Sequence, residues 1–537
     1  MNEIRALKDV AVPMRDGLRL AANVFLPESP GKYPLIMAFT SLGKDNNWGP
    51  QHFGWGFGYE PWSPTITGSA VFEANDPDFW CRYGYALMLV DPRGFGRSPG
   101  TRALAEIDGP PGEFAIISQG RWARDQYDTI EWAAGQDWCD GNIALSGVSV
   151  FAFSQWRVAG LKPPHLKCIN PWEGMTNFYR DVMFPGGIQE SKFTVPDGTY
   201  VPTMAELAPL WPAPEDEDPP AAELMEEDDF LAMIDLPVLI CGNWTDHGCH
   251  ARGSFRAFRK ISSEHKWLYT HGRQKWATFY SSEARAYRKM FFDCFLKGTD
   301  DRMLSLPRVS LMVMEDVDTF TVRWADDYPV PEAKLCTLYP DASSGRLTEE
   351  KPEIESAATY EAFGGHASFE YVFERDTELI GPSALKLTVS TDESDDMDVF
   401  VTFRKFDKNG KECTLDGWVT PGIQPIAIGW LRLSHRELDT ERSIPNEPYL
   451  KHVTGPGSKV RPGEAVSCEI PVLPTSILFR EGDALRVEVA GEYRSGEQLD
   501  DPGFEYRFSV NKGRHTIHTG GGRGAELILP LCVKADK

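Results

Sequence analysis

The pattern of apolar residues changes once along the chain, near residue 328. Before that point, short apolar runs of strand length alternate with amphipathic segments at helical spacing. Beyond it, apolar and polar residues alternate with a period of two, between turns rich in Gly, Pro and Asp. Strands that alternate with helices form a parallel sheet covered by helices, whereas period-two strands form antiparallel sheets. The 537 residues therefore predict an α/β domain followed by an all-β domain of jelly-roll type.

The α/β pattern is interrupted by a segment that has neither periodicity. Residues 177–230 are rich in Pro, Met and acidic residues and end in the run PAPEDEDPPAAELMEEDDF. We interpret this segment as a small, mainly helical cap inserted into the α/β core. The predicted core then comprises residues 1–176 and 231–328, and the predicted jelly roll comprises residues 329–537.

Charge and cysteine usage exclude several classes of protein. The chain carries 55 Lys and Arg against 79 Asp and Glu, and its net charge of −24 repels the phosphates of nucleic acid. No stretch reaches the roughly 18 apolar residues of a membrane span, and the N-terminal segment lacks the apolar core of a signal peptide. The 10 cysteines form no CxxC pair. We expect a cytoplasmic protein with reduced thiols and with no nucleic-acid or membrane partner, and the sequence is compatible with a homo-oligomer.

The strongest local signal for chemistry is a serine at a predicted strand-to-helix junction. In IALSGVSVF (143–151) the strand ends at Gly147, Ser149 follows, and a helix begins at once. A sharp turn of this kind exposes a serine hydroxyl, as in the nucleophile elbow of α/β-hydrolases. The pentapeptide G-x-S-x-G is incomplete here, because Phe151 stands at its last position.

Two later residues are candidates for the acid and the base that a nucleophilic serine requires. In α/β-hydrolases these residues follow in the chain order Ser, Asp, His. Asp246 lies just after the predicted strand 236–244, and His271 ends the predicted strand 265–271. Because parallel strands end at the same edge of a sheet, both residues are predicted at the edge that carries Ser149.

A metal site is the alternative interpretation of the region around the acid. Asp246, His247 and His250 supply oxygen and nitrogen ligands within a short segment. The spacing Asp-x-x-x-His is weak evidence on its own, however, and no second cluster completes it. We therefore predict neither a metal nor a cofactor.

Longer motifs make a family resemblance specific. The run WCDGNIALSGVSVFAFSQW (138–156) resembles the cocaine-esterase and X-prolyl dipeptidyl-peptidase family of serine hydrolases. Further similar motifs follow the family order: RDGLRLAANVFLP, DPRGFGRSPG, GNWTDHG, YTHGR, GWLRLSHR and LPTSILFREGDALRVEVAG. The resemblance covers nearly the whole chain. It implies that Ser149 is the nucleophile, Asp246 the orienting acid and His271 the base.

The chain departs from this family around the oxyanion hole. Val150 replaces the tyrosine that follows the serine in the family, although its backbone N–H still serves as a donor. Many members also place a tyrosine in the loop after the first core strand, and the register puts Leu42 there. The second donor is therefore either the hydroxyl of Ser41 or a backbone N–H near Leu42.

Two features indicate the kind of substrate. His247, Gly248 and Cys249 stand where the α-amino-acid ester hydrolases of the family carry extra carboxylates, which argues against recognition of a free α-amino group. The Gly-rich segment 45–64 is dense in aromatic residues and suits an apolar or aromatic acyl or alcohol group. The predicted pocket residues of this small-molecule site are Trp48, Trp55, Trp62 and Trp172.

The predicted function is hydrolysis of an ester, or of an amide, through an acyl-serine intermediate. One alternative is an acyltransferase or cyclase that uses the same triad and excludes water, which the altered oxyanion loop motivates. An alternative of another class is a non-catalytic protein whose β domain binds a carbohydrate or another ligand.

Overall fold

The computed structural model describes most of the chain. The described residues are 4–40, 43–46, 66–100, 121–177, 179–191, 227–417, 422, 424–452, 457–494 and 505–534. Five residues with predicted roles lie outside these ranges: Ser41, Leu42, Trp48, Trp55 and Trp62. Their roles therefore stay predictions.

The chain forms two compact units. The first unit comprises Met1–Thr176, Glu226–Asn243 and Gly253–Ser310. The second comprises Asn177–Met225, Trp244–Arg252 and Leu311–Lys537. The helix-containing and the β-rich patterns of the sequence thus fall mainly in different units, while the short segment Trp244–Arg252 is grouped with the second. The predicted limits of the cap and the jelly roll stay predictions.

A largely parallel sheet organises the first unit. Its strands are β1 (Arg5–Pro13), β2 (Arg19–Leu26), β3 (Tyr33–Phe39), β4 (Ala86–Val90), β5 (Cys139–Val148), β6 (Leu166–Trp172), β7 (Val238–Asn243), β8 (Lys266–His271) and the start of β9 (Val309–Met314). Their spatial order is β1-β2-β4-β3-β5-β6-β7-β8-β9, with β1, β2 and β4 paired antiparallel and all later pairs parallel. The central strands are nearly continuous buried apolar runs, as expected for strands covered on both faces.

Helices separate the parallel strands along the chain. They are α1 (Pro77–Arg82), α2 (Arg121–Ala134), α3 (Val150–Gly160), α4 (Glu227–Ala232), α5 (Ala251–Lys260), α6 (Lys275–Phe279), α7 (Ser282–Phe292) and α8 (Arg302–Ser305). Short π-helical or 3₁₀ turns lie at Tyr179–Met183, Pro185–Gly187, Asp293–Lys297 and Leu433–His435. Because α2 precedes β5 and α3 follows it, the predicted α/β core is confirmed. None of the helices in the described ranges is long and apolar enough to cross a membrane.

The second unit is built mainly from antiparallel strands. These are β10 (Phe320–Ala325), β11 (Lys334–Asp341), β12 (Arg346–Thr348), β13 (Ser356–Glu361), β14 (His366–Val372), β15 (Thr377–Thr391), β16 (Asp398–Phe406), β17 (Glu412–Cys413), β18 (Ala427–Arg432), β19 (Val466–Phe479), β20 (Ala484–Ala490), β21 (Arg514–Thr519) and β22 (Glu526–Val533). The long strands β15 and β19 pair with each other, and β16 lies between β18 and β20. The β-rich C-terminal part predicted from the period-two pattern is therefore present.

Candidate active site

Ser149 occupies a strained turn between β5 and α3. Its φ of 61° and ψ of −117° lie where a residue with a side chain rarely stands. The turn is held by hydrogen bonds from the Ser149 amide to the carbonyl of Trp172 (3.1 Å) and from the Phe153 amide to the Ser149 carbonyl (2.9 Å). Such strain persists where the surrounding structure enforces it, commonly at functional sites. Val150 is the first residue of α3, and both Ser149 and Val150 are half-buried.

Two glycines explain how the turn tolerates its unusual sequence. A Cβ atom at Gly147 would lie 2.6 Å from the Cβ of Phe151, and one at Gly174 would lie 2.8 Å from the Cβ of Ala152. Phe151 stands at the last position of the G-x-S-x-G pattern, where the pattern has glycine. The missing side chains of Gly147 and Gly174 leave the space that Phe151 and Ala152 occupy.

A buried glutamate supports the opposite side of the turn. The Glu73 carbonyl accepts a hydrogen bond from the amide of Val148, next to the serine (3.1 Å). Glu73 also has a positive φ of 63°, and its Oε1 accepts a hydrogen bond from Nε1 of Trp276 (3.1 Å). The elbow is therefore fixed by backbone contacts from both neighbouring segments.

His271 ends β8 as predicted, and its partner is Glu173. The fully buried imidazole donates through Nε2 to Oε1 of Glu173 (3.1 Å), and its Nδ1 accepts a hydrogen bond from the amide of Arg273 (3.3 Å). The other carboxylate oxygen of Glu173 accepts from Nδ2 of Asn243 (3.0 Å). Glu173 directly follows β6 and has a φ of 49°. Both ring nitrogens of His271 are thus engaged at the edge of the sheet.

Asp246 forms a different pair, with His250. Its Oδ2 lies 2.5 Å from Nδ1 of His250, and the side chains of the two residues are 1% and 3% exposed. The Asp246 carbonyl also accepts a hydrogen bond from the amide of Ala251, the first residue of α5 (3.2 Å). The pairing of Asp246 with His271, like their catalytic roles, stays a prediction.

The register of the sheet explains why Glu173 reaches His271. In β7, Cys241 pairs with Trp172 of β6, and Asn243 pairs with His271 of β8. Glu173 follows Trp172 directly, so a glutamate side chain has to cross a single strand to meet the imidazole. The signal was available in the sequence, since Glu173 follows a buried apolar run in the same way as Asp246 does.

The cluster around His271 has the residue types of a metal site. Within the part of the chain that the structure describes, ligand atoms of Glu173, Cys241 and His271 all lie within 4.8 Å of one another. Burial raises the pKa of the Cys241 thiol well above its usual value, so the sulfur is held neutral. The hydrogen bond between Glu173 and His271 engages two of the three groups. The expectation that the protein binds no metal stays a prediction.

Trp172 lies in the core of the first unit. It is fully buried, and its ring packs against Tyr269, His271 and Phe279 at centroid distances of 5.3, 6.3 and 5.5 Å. The guanidinium of Arg288 lies 5.1 Å from the indole centroid, and burial lowers the pKa of that arginine to about 9. These contacts show that Trp172 supports the sheet edge, and its role as a pocket residue stays a prediction.

A strained serine at a strand-to-helix turn of a parallel sheet, with carboxylate–histidine pairs after later strands, defines a serine hydrolase of the α/β-hydrolase class. Residues 16–216 match the X-Pro dipeptidyl-peptidase (S15) family, and residues 303–528 match the X-Pro dipeptidyl-peptidase C-terminal non-catalytic domain. The chain belongs to the family of cocaine esterase and X-Pro dipeptidyl-peptidase.

Individual relatives match along nearly the whole chain. A CocE/NonD family hydrolase from Staphylococcus aureus is 36% identical, with a TM-score of 0.85 over 98% of this chain and 94% of that one. Cocaine esterase from Rhodococcus sp. (strain MB1 Bresler) is 24% identical over 97% of this chain and 98% of its own length. An α-amino acid ester hydrolase shares the fold, with a TM-score of 0.72 at 16% identity over 99% of this chain and 97% of that one.

Proposed function

We propose that the protein hydrolyses carboxylic esters through an acyl-enzyme on Ser149. The observation that carries this proposal is the strained backbone of Ser149 at the junction of β5 and α3, because that conformation projects a serine hydroxyl from the edge of the sheet. Relatives named as cocaine esterase and putative serine esterases support an ester as the substrate class. The aromatic segment 45–64 supports an apolar or aromatic group on one side of the ester.

In the proposed reaction, the Ser149 oxygen attacks the carbonyl carbon while its proton passes to an imidazole that a buried carboxylate orients. The backbone N–H of Val150 stabilises the oxyanion, together with a second donor at Ser41 or Leu42. The imidazolium then gives its proton to the departing alkoxide. In the second half of the reaction a water molecule attacks the acyl-serine and loses a proton to the imidazole, and that proton passes to the Ser149 oxygen as the carboxylic acid is released. In the sequence-based triad, Asp246 is the carboxylate and His271 the imidazole.

Replacing Ser149 by Ala tests the proposal. We expect hydrolysis of activated aryl esters to fall by about 10³-fold or more, because the groups of a triad act as a unit. Covalent labelling by a fluorophosphonate probe should disappear, while the melting temperature stays within the range of the wild type. Ser154→Ala is the matched control, since Ser154 lies on the same helix and its hydroxyl donates only locally, to the carbonyl of Phe151.

The same assay defines the substrate class. A series of esters that varies the size of the acyl and alcohol groups, with amide counterparts, should show the highest kcat/KM for esters with an apolar or aromatic group. Undiminished activity or labelling in Ser149→Ala would contradict the proposed nucleophile, whereas loss of both in Ser154→Ala would show that the assay reports folding instead.

A further inference from the structure

We propose that the first unit binds a small monovalent anion, chloride in ordinary buffers, between Arg288 of α7 and Asn75, which lies two residues before α1. Both side chains belong to the first unit and are buried, at 1% and 3% exposure. A buried guanidinium that meets no carboxylate there lies beside a buried amide whose N–H groups meet no acceptor, within the described residues. The inference does not depend on the proposed function.

Arg288 is a buried cation that forms no ion pair with the residues that the structure describes. The buried guanidiniums of Arg93 and Arg404, in contrast, contact the carboxylates of Asp125 and Glu488. Arginine is rarely buried without such a partner, because a charge removed from water is costly. Burial lowers the pKa of Arg288 to about 9, so the guanidinium still carries its charge at pH 7. A bound anion would balance that charge.

The hydrogen bonds of Arg288 leave two of its N–H groups over. A guanidinium has five N–H donors and no acceptor. Nε donates to the carbonyl of Ala284 (3.4 Å), and Nη2 donates to the carbonyl of Phe279. Nη1 donates to Oδ1 of Asn75 (2.9 Å). One N–H on each of Nη1 and Nη2 therefore has no acceptor in the described part of the chain.

The amide of Asn75 adds donors to the same place. Its orientation is fixed, because turning it over would place its N–H groups against the guanidinium of Arg288. Its Nδ2 then meets no acceptor among the described residues, although the atom is buried. A buried polar atom of this kind calls for a bound water or ion. A water molecule would bring two donors of its own and no charge, whereas an anion accepts from all of these N–H groups and neutralises the guanidinium.

The surroundings of the guanidinium favour a small ion. Its central carbon lies 3.9 Å from the ring centroid of Phe279, 5.1 Å from that of Trp172 and 5.7 Å from that of Trp80. These rings attract the cation through their faces but supply no hydrogen-bond acceptor. All three are buried, so a bulky or hydrated ion does not suit the site. One negative charge balances one guanidinium, which favours a monovalent ion.

Thermal unfolding in chloride tests the site. A ligand that binds only the folded state raises the melting temperature as its concentration increases. Between chloride-free buffer and about 0.1 M sodium chloride we expect a rise of about 2–4 °C, which a several-fold excess over Kd gives a unit of this size. Sodium gluconate at the same concentration supplies the ionic strength with an anion too large to be enclosed, and it should not produce this rise.

Two variants remove the need for the ion in different ways. Asn75→Asp replaces the amide by a carboxylate, so that Nη1 keeps its acceptor and the charge of Arg288 is balanced within the protein. This variant should melt in gluconate at least as high as the wild type does in chloride, and chloride should not raise its melting temperature further. Arg288→Met removes the charge and the donors but keeps an apolar side chain against the aromatic rings. Its melting temperature should be independent of chloride, whatever its own stability.

Asn142→Asp is the matched control for the change of charge. It makes the same substitution at a half-buried position of β5. Its melting temperature should rise in chloride by as much as that of the wild type.

Crystals soaked in sodium bromide locate the ion directly, because bromide is close to chloride in size and scatters anomalously. We expect an anomalous peak within hydrogen-bond distance of Nη1 or Nη2 of Arg288 and of Nδ2 of Asn75, and no peak there in Arg288→Met.

Three results would overturn the inference. The first is an equal effect of chloride and gluconate on the wild type, and the second is a chloride response that Asn75→Asp and Arg288→Met retain. The third is a bromide peak without a chloride response, which would mean binding at crystal concentration only. None of these measurements uses ester hydrolysis, so they stand apart from the test of Ser149.

Discussion

Glu173 shows that the order of residues along the chain predicts where polar groups meet at the sheet edge but not which carboxylate pairs with which histidine. The rule that functional side chains follow buried strands selects the ends of β7 and β8, where Asp246 and His271 lie, and the roles of these two residues stay predictions. It does not select which carboxylate meets which histidine, because that depends on side-chain length and on the register across β7. A glutamate after β6 spans that strand to His271, whereas Asp246 bonds to the histidine four residues later in its own segment.

The buried pair predicts a loss of stability when Glu173 is changed to Gln. The two carboxylate oxygens each accept a hydrogen bond, from His271 and from Asn243, and an amide presents one oxygen and one N–H group in their place. One buried donor then faces another, which should lower the free energy of unfolding by about 1–3 kcal/mol. Denaturant unfolding measures this change.

Glu131→Gln is the matched control for that measurement. Its carboxylate bonds to His165, but the two side chains are 27% and 44% exposed, so water replaces the lost acceptor. We expect a change below about 1 kcal/mol. Equal losses in Glu173→Gln and Glu131→Gln would contradict the view that the Glu173–His271 pair is a buried structural contact.

At the scale of elements, the strand and helix that flank Ser149 were predictable because their signals are local. A strand over residues 142–147 and a helix over 151–160 were expected, and the structure has Cys139–Val148 and Val150–Gly160. The packing of the elbow was not predictable from the G-x-S-x-G pattern, which Phe151 breaks. The compensating space lies at Gly147 and Gly174, and Gly174 is remote in sequence from the serine.

This packing predicts that Gly147→Ala disrupts the elbow. The added Cβ would lie 2.6 Å from Phe151, and neither β5 nor α3 can shift without moving Ser149. Overpacking of this kind costs about 1–3 kcal/mol, and a displaced nucleophile should also lower kcat. Thermal unfolding and ester hydrolysis measure the two effects.

Gly135→Ala is the control, because it adds the same methyl group to a glycine where the methyl group meets no close neighbour. A Cβ there would meet its nearest neighbour, the carbonyl oxygen of Trp132, at an ordinary distance of 3.5 Å. This variant should retain both stability and activity. If Gly147→Ala is as stable and as active as Gly135→Ala, then β5 and α3 accommodate the added methyl group. That result would contradict the view that Gly147 is needed to make room for Phe151.

At the scale of the whole molecule, histidines with a lowered pKa distinguish the two units. Within the described residues, burial lowers the pKa of several histidines, and all of those with a lowered pKa belong to the second unit. They are His247 (to about 4), His435 (to about 3), His452 (well below its usual value), His515 (to about 4) and His518 (lowered). The sequence showed where the histidines are, but their burial follows from packing in the β-rich unit.

These shifts predict that mild acid destabilises the second unit first. An unfolded histidine takes up a proton near pH 6.5, whereas the buried ones stay neutral until the pH approaches their lowered pKa values. The unfolded state therefore binds more protons, so stability is complete above about pH 6.5 and is lost as the pH falls towards 4. Each of the deeply buried histidines, which are His247, His435, His452 and His515, contributes up to about 1.4 kcal/mol per pH unit within that window. Hydrogen exchange at pH 7 and pH 5 should show β15 and β19 losing protection before β5 and β6.

His435→Gln should flatten the dependence of stability on pH between 6.5 and 5, where ordinary carboxylates still carry their charge. Earlier loss of protection in β5 and β6, or an unchanged slope in His435→Gln, would show that acid acts through other groups.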